Sequence, residues 1–260
     1  MRIEINVNML YNLSEDPMVL LTLEAARTTG QIVVQDRLSV EFATLKRVAG
    51  EGGVGQRVWA CVTTEQLQLN YTATVDVAED DCALESYAPT ALHDLPGEVM
   101  TYLRPSRFCQ SDQFLTFAQH EFGSLEGGNK VAAIRDWVAQ ELRYVPGTSH
   151  AETTVVDTFI TREGVCRDYA HMVCALARAS QIPARYASVY GPGVTPPDFH
   201  AVAQVWLEGG WHMVDATGMS EAGELVLIAV GRDAHDIAFM ETQSAAYLVN
   251  QQVQVSRATD

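Results

Sequence analysis

The sequence predicts an α+β protein in which an antiparallel β domain precedes a domain made of helices and a second antiparallel sheet. Apolar and polar residues alternate through most of the first eighty residues, most clearly over 66–77, as in strands with one buried face. Beyond residue 90, apolar residues recur at helical spacing in two segments, and strand patterns then resume. We therefore predict two domains, over residues 1–90 and 91–260.

The first domain is predicted to be β-sandwich-like, built from short strands joined by turns. Its candidate strands are 2–8, 18–23, 31–42, 57–63 and 66–77. The glycine-rich run 52–55 is interpreted as a turn, because it lacks the Lys-Ser/Thr pair and the following helix of a phosphate loop. The acidic run 79–81 and the prolines at 89 and 96 predict a linker or a chain crossing.

The second domain is predicted to contain two helices followed by strands. Asn129 is expected to cap the first helix, which should stop near Pro146, because proline disfavours helix in the residue before it. The second helix is predicted to run from Cys166 to about Ser180. The candidate strands that follow are 184–190, 199–207, 211–216, 225–230 and 247–255.

Composition argues against several classes of function. The chain has 260 residues, with 17 Lys and Arg against 33 Asp and Glu, and a formal charge of -16. Such a field repels nucleic acid and anionic membranes, so we expect neither as a partner. No apolar run approaches the roughly 20 residues of a membrane span, and the N-terminal residues alternate like a strand rather than a signal peptide. We therefore expect a cytoplasmic protein.

The cysteines predict reduced thiols rather than a disulfide framework. Their number is odd, their spacing is scattered, and no two form a C-x-x-C pair, so a thiolate zinc site is not expected. They are Cys61, Cys82, Cys109, Cys166 and Cys174. Cys174 lies among apolar helix residues and is predicted to be core.

Cys166 is the candidate nucleophile. It follows Gly164, which permits a sharp turn, and it falls on the first turn of the predicted helix. Unpaired backbone N–H groups and the positive end of the helix dipole favour a thiolate there and can hold an oxyanion. On this local pattern alone, a purely structural role for the thiol remains equally open.

His200 and Asp215 are the candidate partners of that thiol. They lie in a predicted β-hairpin with Gly209-Gly210 as its two-residue turn, which pairs Glu208 with Trp211. This register puts His200 and Asp215 on the same face but four positions apart, about 13 Å along the strand. A bulge, strong twist or diagonal approach must close that gap. Taken singly, such a histidine is more often a satisfied polar strand residue than a base, and the aspartate could simply start a turn.

Four separated motifs resemble the transglutaminase-like superfamily, and above all its bacterial branch, whose members are often described as cysteine proteases. The motifs are Gly-Val-Cys-Arg-Asp-Tyr-Ala-His at 164–171, Gln-Ile-Pro-Ala-Arg-Tyr at 181–186, Phe-His-Ala at 199–201 and Trp-His-Met-Val-Asp-Ala-Thr at 211–217. Segments 134–138 and 144–147 also match that branch, so the resemblance covers roughly residues 95 to 230. The strand-rich N-terminal part is similar to the β domain that precedes the catalytic core in such proteins.

The resemblance implies a papain-like, transglutaminase-core domain, in which a helix bearing Cys166 packs on an antiparallel sheet bearing His200 and Asp215. It implies that Cys166 is the nucleophile, His200 the general base and acid, and Asp215 the group that orients the imidazole. It implies no cofactor and no metal. Two residues depart from the family pattern, Val202 where an aromatic residue is common and Ala216 where a proline is usual.

The implied chemistry is acyl transfer from an amide through a thioester, and the expected partner is a peptide or protein amide substrate. The thioester meets either water, which gives hydrolysis of a peptide bond or glutamine side chain, or an amine, which gives transamidation. The residues expected to contact substrate, each of which alone is more often structural, are Tyr144, Arg167, Tyr190, Asp198 and Phe199. The alternative is a non-catalytic peptide-binding module that retains the fold.

Overall fold

A computed structural model of the chain describes residues 1–15, 17–78 and 83–258. The strands within these ranges are β1 (Arg2–Leu13), β2 (Met18–Leu21), β3 (Gln31–Val40), β4 (Ala43–Ala49), β5 (Gln56–Val62), β6 (Gln66–Val77), β7 (Arg143–Tyr144), β8 (Glu163–Gly164), β9 (Ala184–Tyr190), β10 (His200–Leu207), β11 (Gly210–Val214), β12 (Val226–Gly231), β13 (Met240–Thr242) and β14 (Ala246–Arg257). The α-helices are α1 (Leu115–Phe122), α2 (Gly127–Glu141), α3 (Val155–Thr161) and α4 (Cys166–Ala179). These elements confirm the predicted α+β class.

The N-terminal part is a pair of antiparallel sheets that share one apolar core. The strand orders are β14-β1-β6-β3 and β13-β2-β5-β4. The alternation in the sequence explains the packing, since every second residue of β6 from Leu67 onward is buried while most residues between them are more exposed. Val7 on the first sheet and Leu21 on the second belong to the same core, and neither has exposed surface.

The last two strands return to this N-terminal part. Strand β14 pairs with β1 along most of its length, and β13 pairs with β2. The apolar core also takes in residues of the second half, among them Tyr190 and Ile228. The predicted domain boundary at residue 90 stays a prediction. Strands β13 and β14, which lie after this boundary, nevertheless complete the two N-terminal sheets.

The second half contains the antiparallel sheet β11-β10-β9-β12, with helix α4 packed on one face. Ala203 and Val205 of β10 face Val173 and Leu176 of α4, and all four are fully buried. The helix bearing Cys166 therefore packs on the sheet bearing His200, as expected.

Several boundaries differ from the predicted ones. Helix α2 begins at Gly127 rather than after Asn129, and it ends at Glu141 rather than near Pro146. It ends early because the chain enters β7, which pairs in parallel with β8. Strand β4 and helices α1 and α3 were not predicted, and Cys82 and the acidic run 79–81 lie outside the described residues. In the part of the chain that the structure describes, no helix combines the length and apolar character needed to span a bilayer.

The observed β10–β11 hairpin has its turn one residue earlier than predicted. Leu207 pairs with Gly210, so the turn is Glu208-Gly209 and not Gly209-Gly210. Both turn residues have positive φ, 49° and 80°, which is the backbone of a type I′ turn. This register also places Trp206 opposite Trp211, with their rings edge to face at 5.2 Å. The shift by one residue in the turn halves the offset between His200 and Asp215 to two positions, about 7 Å.

Because the register depends on this turn, we expect Gly209→Ala to lower the free energy of unfolding by about 1–2 kcal/mol. A Cβ on Gly209 meets no atom within 4 Å, so the cost comes from its positive φ alone. Gly97 has equally open surroundings without a positive φ, and Gly97→Ala is the matched control, expected to be neutral or slightly stabilising. Denaturant unfolding of both variants measures the difference, and equal stabilities would contradict this account of the turn.

Candidate active site

Cys166 lies at the first position of α4, where local structure leaves its backbone N–H unpaired within the helix. The residue before it, Val165, is extended, and its N–H donates to the buried carboxylate of Asp168 at 2.9 Å. Gly164 packs so closely on that carboxylate that a Cβ would lie 2.6 Å from Asp168 Cβ. Only glycine fits there, so the sequence around the thiol is shaped to begin a helix at Cys166. The helix dipole then favours negative charge on the sulfur.

His200 and Asp215 are hydrogen-bonded to each other. His200 Nε2 and Asp215 Oδ2 are 2.9 Å apart, and the two side chains are 0% and 4% exposed. Asp215 follows the last residue of β11, and its second oxygen accepts hydrogen bonds from the N–H and the hydroxyl of Thr217. Burial acts to raise the pKa of Asp215, but the bonds from His200 and Thr217 lower it below its ordinary value. The carboxylate is therefore charged and fixed against the imidazole.

The His200 ring lies beside Cys166 and is held by its hydrogen bond to Asp215. Burial acts to lower its pKa, but the hydrogen bond to Asp215, the interaction with the Cys166 sulfur and the charges of both raise it to about 9. Among the described residues, its buried Nδ1 atom forms no hydrogen bond of normal geometry. Nε2 is bound to the carboxylate, so Nδ1 is the ring nitrogen left to exchange a proton with the thiol.

Tyr144 contacts Cys166. It pairs with Gly164 across the short β7–β8 ladder, and its hydroxyl interacts with the backbone N–H and the side chain of Cys166. Burial, and then the charge of Cys166, raise the pKa of Tyr144 to about 12. The hydroxyl is therefore protonated at neutral pH and available as a donor beside the sulfur.

A cavity of about 500 Å³ opens beside the thiol and the imidazole. Its lining combines residues of both halves of the chain: Thr22, Phe108, Ala151, Cys166, Arg167, Tyr186, Ser188, Asp198, Phe199, His200, Ala201, Ile228, Ala234, His235, Ile237, Ala238, Phe239 and Glu241. Its volume lies within the range usual for ligand sites.

Three of the residues predicted to contact substrate line this cavity. Phe199 contributes a ring to its wall, and Asp198 lies at its rim, where it accepts hydrogen bonds from the Phe199 N–H and from Gln251 Nε2. Arg167 also borders it, but its guanidinium donates to the backbone oxygens of His150 and Thr153. Arg167 therefore holds the loop before α3 and is less free to bind substrate than Asp198.

Tyr190 does not lie where the sequence prediction placed it. Its side chain has no exposed surface and is absent from the cavity lining. The hydroxyl donates to Leu23 O at 2.6 Å, and the ring packs between Tyr71 and Phe199. This residue joins the two halves of the molecule and is not retained as a substrate contact.

Several cavity residues were missed from the sequence. Tyr186 was part of a recognised motif, and alternation along β9 would have placed it on the same face as Ser188. Phe108, Ile237 and Phe239 come from segments without a distinctive local pattern, and only the three-dimensional fold brings them to Cys166. In the described ranges, no group of three or more His, Cys, Asp or Glu side chains is arranged to hold a metal ion.

Comparison with known proteins gives several matches. Residues 116–216, which contain Cys166, His200 and Asp215, match the profile of the transglutaminase-like superfamily. The crystal structure of a candidate cysteine protease from Cytophaga hutchinsonii is 34% identical, with a TM-score of 0.90, and the match covers 100% of this chain and 92% of that one.

Two mycobacterial relatives are uncharacterised. A Mycobacterium leprae protein is 36% identical over 118 residues, 42% of this chain and 41% of that protein, so the match spans less than half of that relative. A Mycobacterium tuberculosis protein of strain H37Rv is 26% identical over 239 residues, which cover 80% of this chain and 75% of that one. With the full-length structural match and the profile match over the Cys166 helix and its sheet, the chain belongs to the transglutaminase-like superfamily.

Proposed function

We propose that the protein is a cysteine-dependent enzyme that cleaves amides through a thioester, with Cys166, His200 and Asp215 as its catalytic triad. The observation that carries the proposal is the buried His200–Asp215 hydrogen bond beside a cysteine at the first position of a helix. Each part has a chemical role: the helix start favours a thiolate, and the carboxylate favours an imidazolium. The description of the Cytophaga relative as a candidate cysteine protease agrees with this chemistry.

In the proposed mechanism, His200 holds the proton of Cys166, and the thiolate attacks the amide carbonyl. The backbone N–H of Cys166 and the Tyr144 hydroxyl donate to the oxyanion, because both lie beside the sulfur. His200 then gives its proton to the leaving amine, and the C–N bond breaks to leave a thioester. Asp215 keeps Nδ1 directed at the sulfur and stabilises the imidazolium throughout.

We propose water as the second substrate, so that the net reaction is hydrolysis of a peptide or glutamine-type amide. Transfer to an amine requires that water be kept away from the thioester. Cys166 is only partly buried and borders a cavity open to solvent, which gives water a path to the thioester. Transamidation is the second outcome of the same intermediate, and product analysis with and without an added primary amine distinguishes the two.

The partner in this proposal is a peptide or protein substrate, and the formal charge of -16 disfavours nucleic acid and anionic membranes as partners. A reducing, cytoplasmic location is also part of the proposal. The four cysteines within the described residues are all free thiols, as a reducing compartment allows and as the mechanism requires of Cys166.

The pH dependence of Cys166 alkylation tests the proposal. Because the pKa of His200 is raised to about 9, an imidazolium should accompany the thiolate through the neutral range. We expect iodoacetamide to react at pH 6.5 at least roughly tenfold faster with the wild type than with His200→Ala, whose rate should rise with pH like that of an ordinary thiol.

Mass spectrometry of the Cys166 peptide gives the rate, and the exposed Cys61 in the same sample is an internal control. Equal reaction profiles for wild type and His200→Ala would overturn the catalytic proposal. They would leave a transglutaminase-like fold used for peptide binding.

A further inference from the structure

The cavity beside Cys166 has an apolar floor made by the catalytic sheet. Ser188 and Ala201 lie opposite each other in the β9–β10 ladder, and both are small. Their larger neighbours Tyr186 and Ile228 are buried and rise on either side. Cys166 and His200 line the same cavity as Ala201, so this recess lies beside the proposed catalytic groups.

Aromatic rings form the wall on the side of the N-terminal sheets. Phe199 and Phe239 are stacked, with ring centres 4.9 Å apart and planes within 10° of each other. Phe108 closes the other side and is 5% exposed. Flat apolar surfaces of this kind bind aromatic and branched side chains by dispersion and burial.

The remaining wall, the segment from Asp233 to Phe239, is fixed in place before any substrate binds. The Ala234 N–H donates to the buried Nε2 of His171 at 3.1 Å, and Asp233 accepts from the Phe108 N–H at 2.9 Å. Burial, and then the neighbouring arginines, keep the pKa of His171 well below its ordinary value, so the ring stays neutral and accepts this bond. The recess is therefore preformed, and a ligand does not spend binding energy to order it.

Most polar groups around the recess lie at its edge or are already paired, although the Thr22 hydroxyl and Arg167 Nε are buried without a hydrogen-bond partner among the described residues. Arg167 is bound to backbone oxygens, Asp198 and Glu241 lie exposed at the rim, and the Ser188 hydroxyl is directed at Ile237 O, 3.5 Å away. A charged or amide side chain placed on the floor would lose hydrogen bonds to water without replacing them.

We propose that this recess is the acyl-side specificity pocket of the enzyme, and that it selects amides whose acyl group carries a large apolar side chain, aromatic or branched. This inference rests on the proposed acyl-transfer function. Ala201 and Ala234 are specificity-determining residues in it, because their small side chains leave the space that the substrate side chain fills.

Chloromethyl ketones of single amino acids test the pocket directly, because each carries one side chain next to a carbon that reacts with a thiolate. The Cys166 thiolate displaces chloride from such a reagent, and a C–S bond forms. We expect N-acetyl-phenylalanine chloromethyl ketone to label Cys166 at least roughly tenfold faster than the glycine and aspartate analogues, the discrimination that an apolar pocket provides. Each rate is divided by the iodoacetamide rate of the same preparation.

Equal labelling by the three ketones, together with normal iodoacetamide reactivity, would overturn the specificity-pocket proposal and leave the catalytic proposal standing. A Cys166 that is inert to iodoacetamide would overturn both.

Filling the recess supplies a second test. Ala234→Leu is expected to lower the ratio of phenylalanine to glycine labelling at least roughly tenfold, because its side chain occupies the pocket. Ala139→Leu, on the exposed face of α2, is the matched control and should keep the wild-type ratio. An unchanged ratio in a folded Ala234→Leu protein would overturn the inference, and if that variant does not fold, the selectivity of the wild type decides the question.

Discussion

Replacing Asp215 with asparagine is expected to lower the rate of amide hydrolysis by about 10³- to 10⁴-fold, the loss that follows when a triad carboxylate becomes an amide. An amide at this position can offer an N–H to Nε2, which would turn the proton of the ring toward Cys166 in the neutral tautomer. It also removes the charge that stabilises the imidazolium. The geometry should otherwise persist, because Thr217 can still donate to the remaining oxygen.

Hydrolysis of N-acetyl-phenylalanine p-nitroanilide, followed by absorbance, measures this loss. Asp76→Asn is the control, because Asp76 forms an ion pair with Arg2 on the first sheet, away from the cavity. Asp215→Asn with the wild-type rate would exclude Asp215 from the catalytic machinery.

The pH dependence of the unfolding free energy gives an independent measure of the interaction between His200 and Asp215. The raised pKa of His200 contributes stability that is complete below its ordinary value of 6.5 and is lost as pH rises through about 9. The lowered pKa of Asp215 contributes stability above 3.8 that is lost as pH falls. The wild type should therefore exceed Asp215→Asn in unfolding free energy most clearly between about pH 4 and 6.5, and less at pH 9.5.

Tyr144→Phe is expected to lower the rate of amide hydrolysis by about 10²- to 10³-fold, the usual effect of removing one oxyanion donor. The hydroxyl lies beside both the N–H and the sulfur of Cys166, and its pKa of about 12 keeps it protonated. Alkylation by iodoacetamide forms no oxyanion, so its rate should change much less than the rate of hydrolysis.

The comparison of these two rates separates oxyanion stabilisation from a general disturbance of the site. Tyr247→Phe is the matched control, because Tyr247 lies on β14 and is 62% exposed. Equal losses in hydrolysis and alkylation would show that Tyr144 only positions Cys166. No loss in either would remove it from the mechanism.

The parts of the fold that were predicted correctly are those with a strong local pattern. Strict alternation located β6, and the glycine before Cys166 correctly indicated a helix that starts at the thiol. The hairpin turn was misplaced by one residue because both Glu208-Gly209 and Gly209-Gly210 are compatible with a two-residue turn. Cross-strand packing of Trp206 on Trp211, a tertiary contact that the turn residues do not encode, favours the register that is observed.

Substrate contacts were harder to predict because they depend on distant segments. Phe239 stacks on Phe199, which lies forty positions earlier in the chain, and no local sequence pattern predicts this contact. Tyr190 was expected at the cavity because it precedes a loop near His200. The strand instead turns it toward Tyr71 of the N-terminal part.

The return of β13 and β14 to the N-terminal sheets limits how this protein can be divided or recombined. A fragment cut at residue 90 would keep both strands but lose β1 and β2, their pairing partners, and would expose long unpaired edges prone to aggregation. It would also lose Thr22 from the cavity and Leu23 O, which binds Tyr190. Exchange of the transglutaminase-like core between relatives would therefore have to carry the N-terminal strands as well.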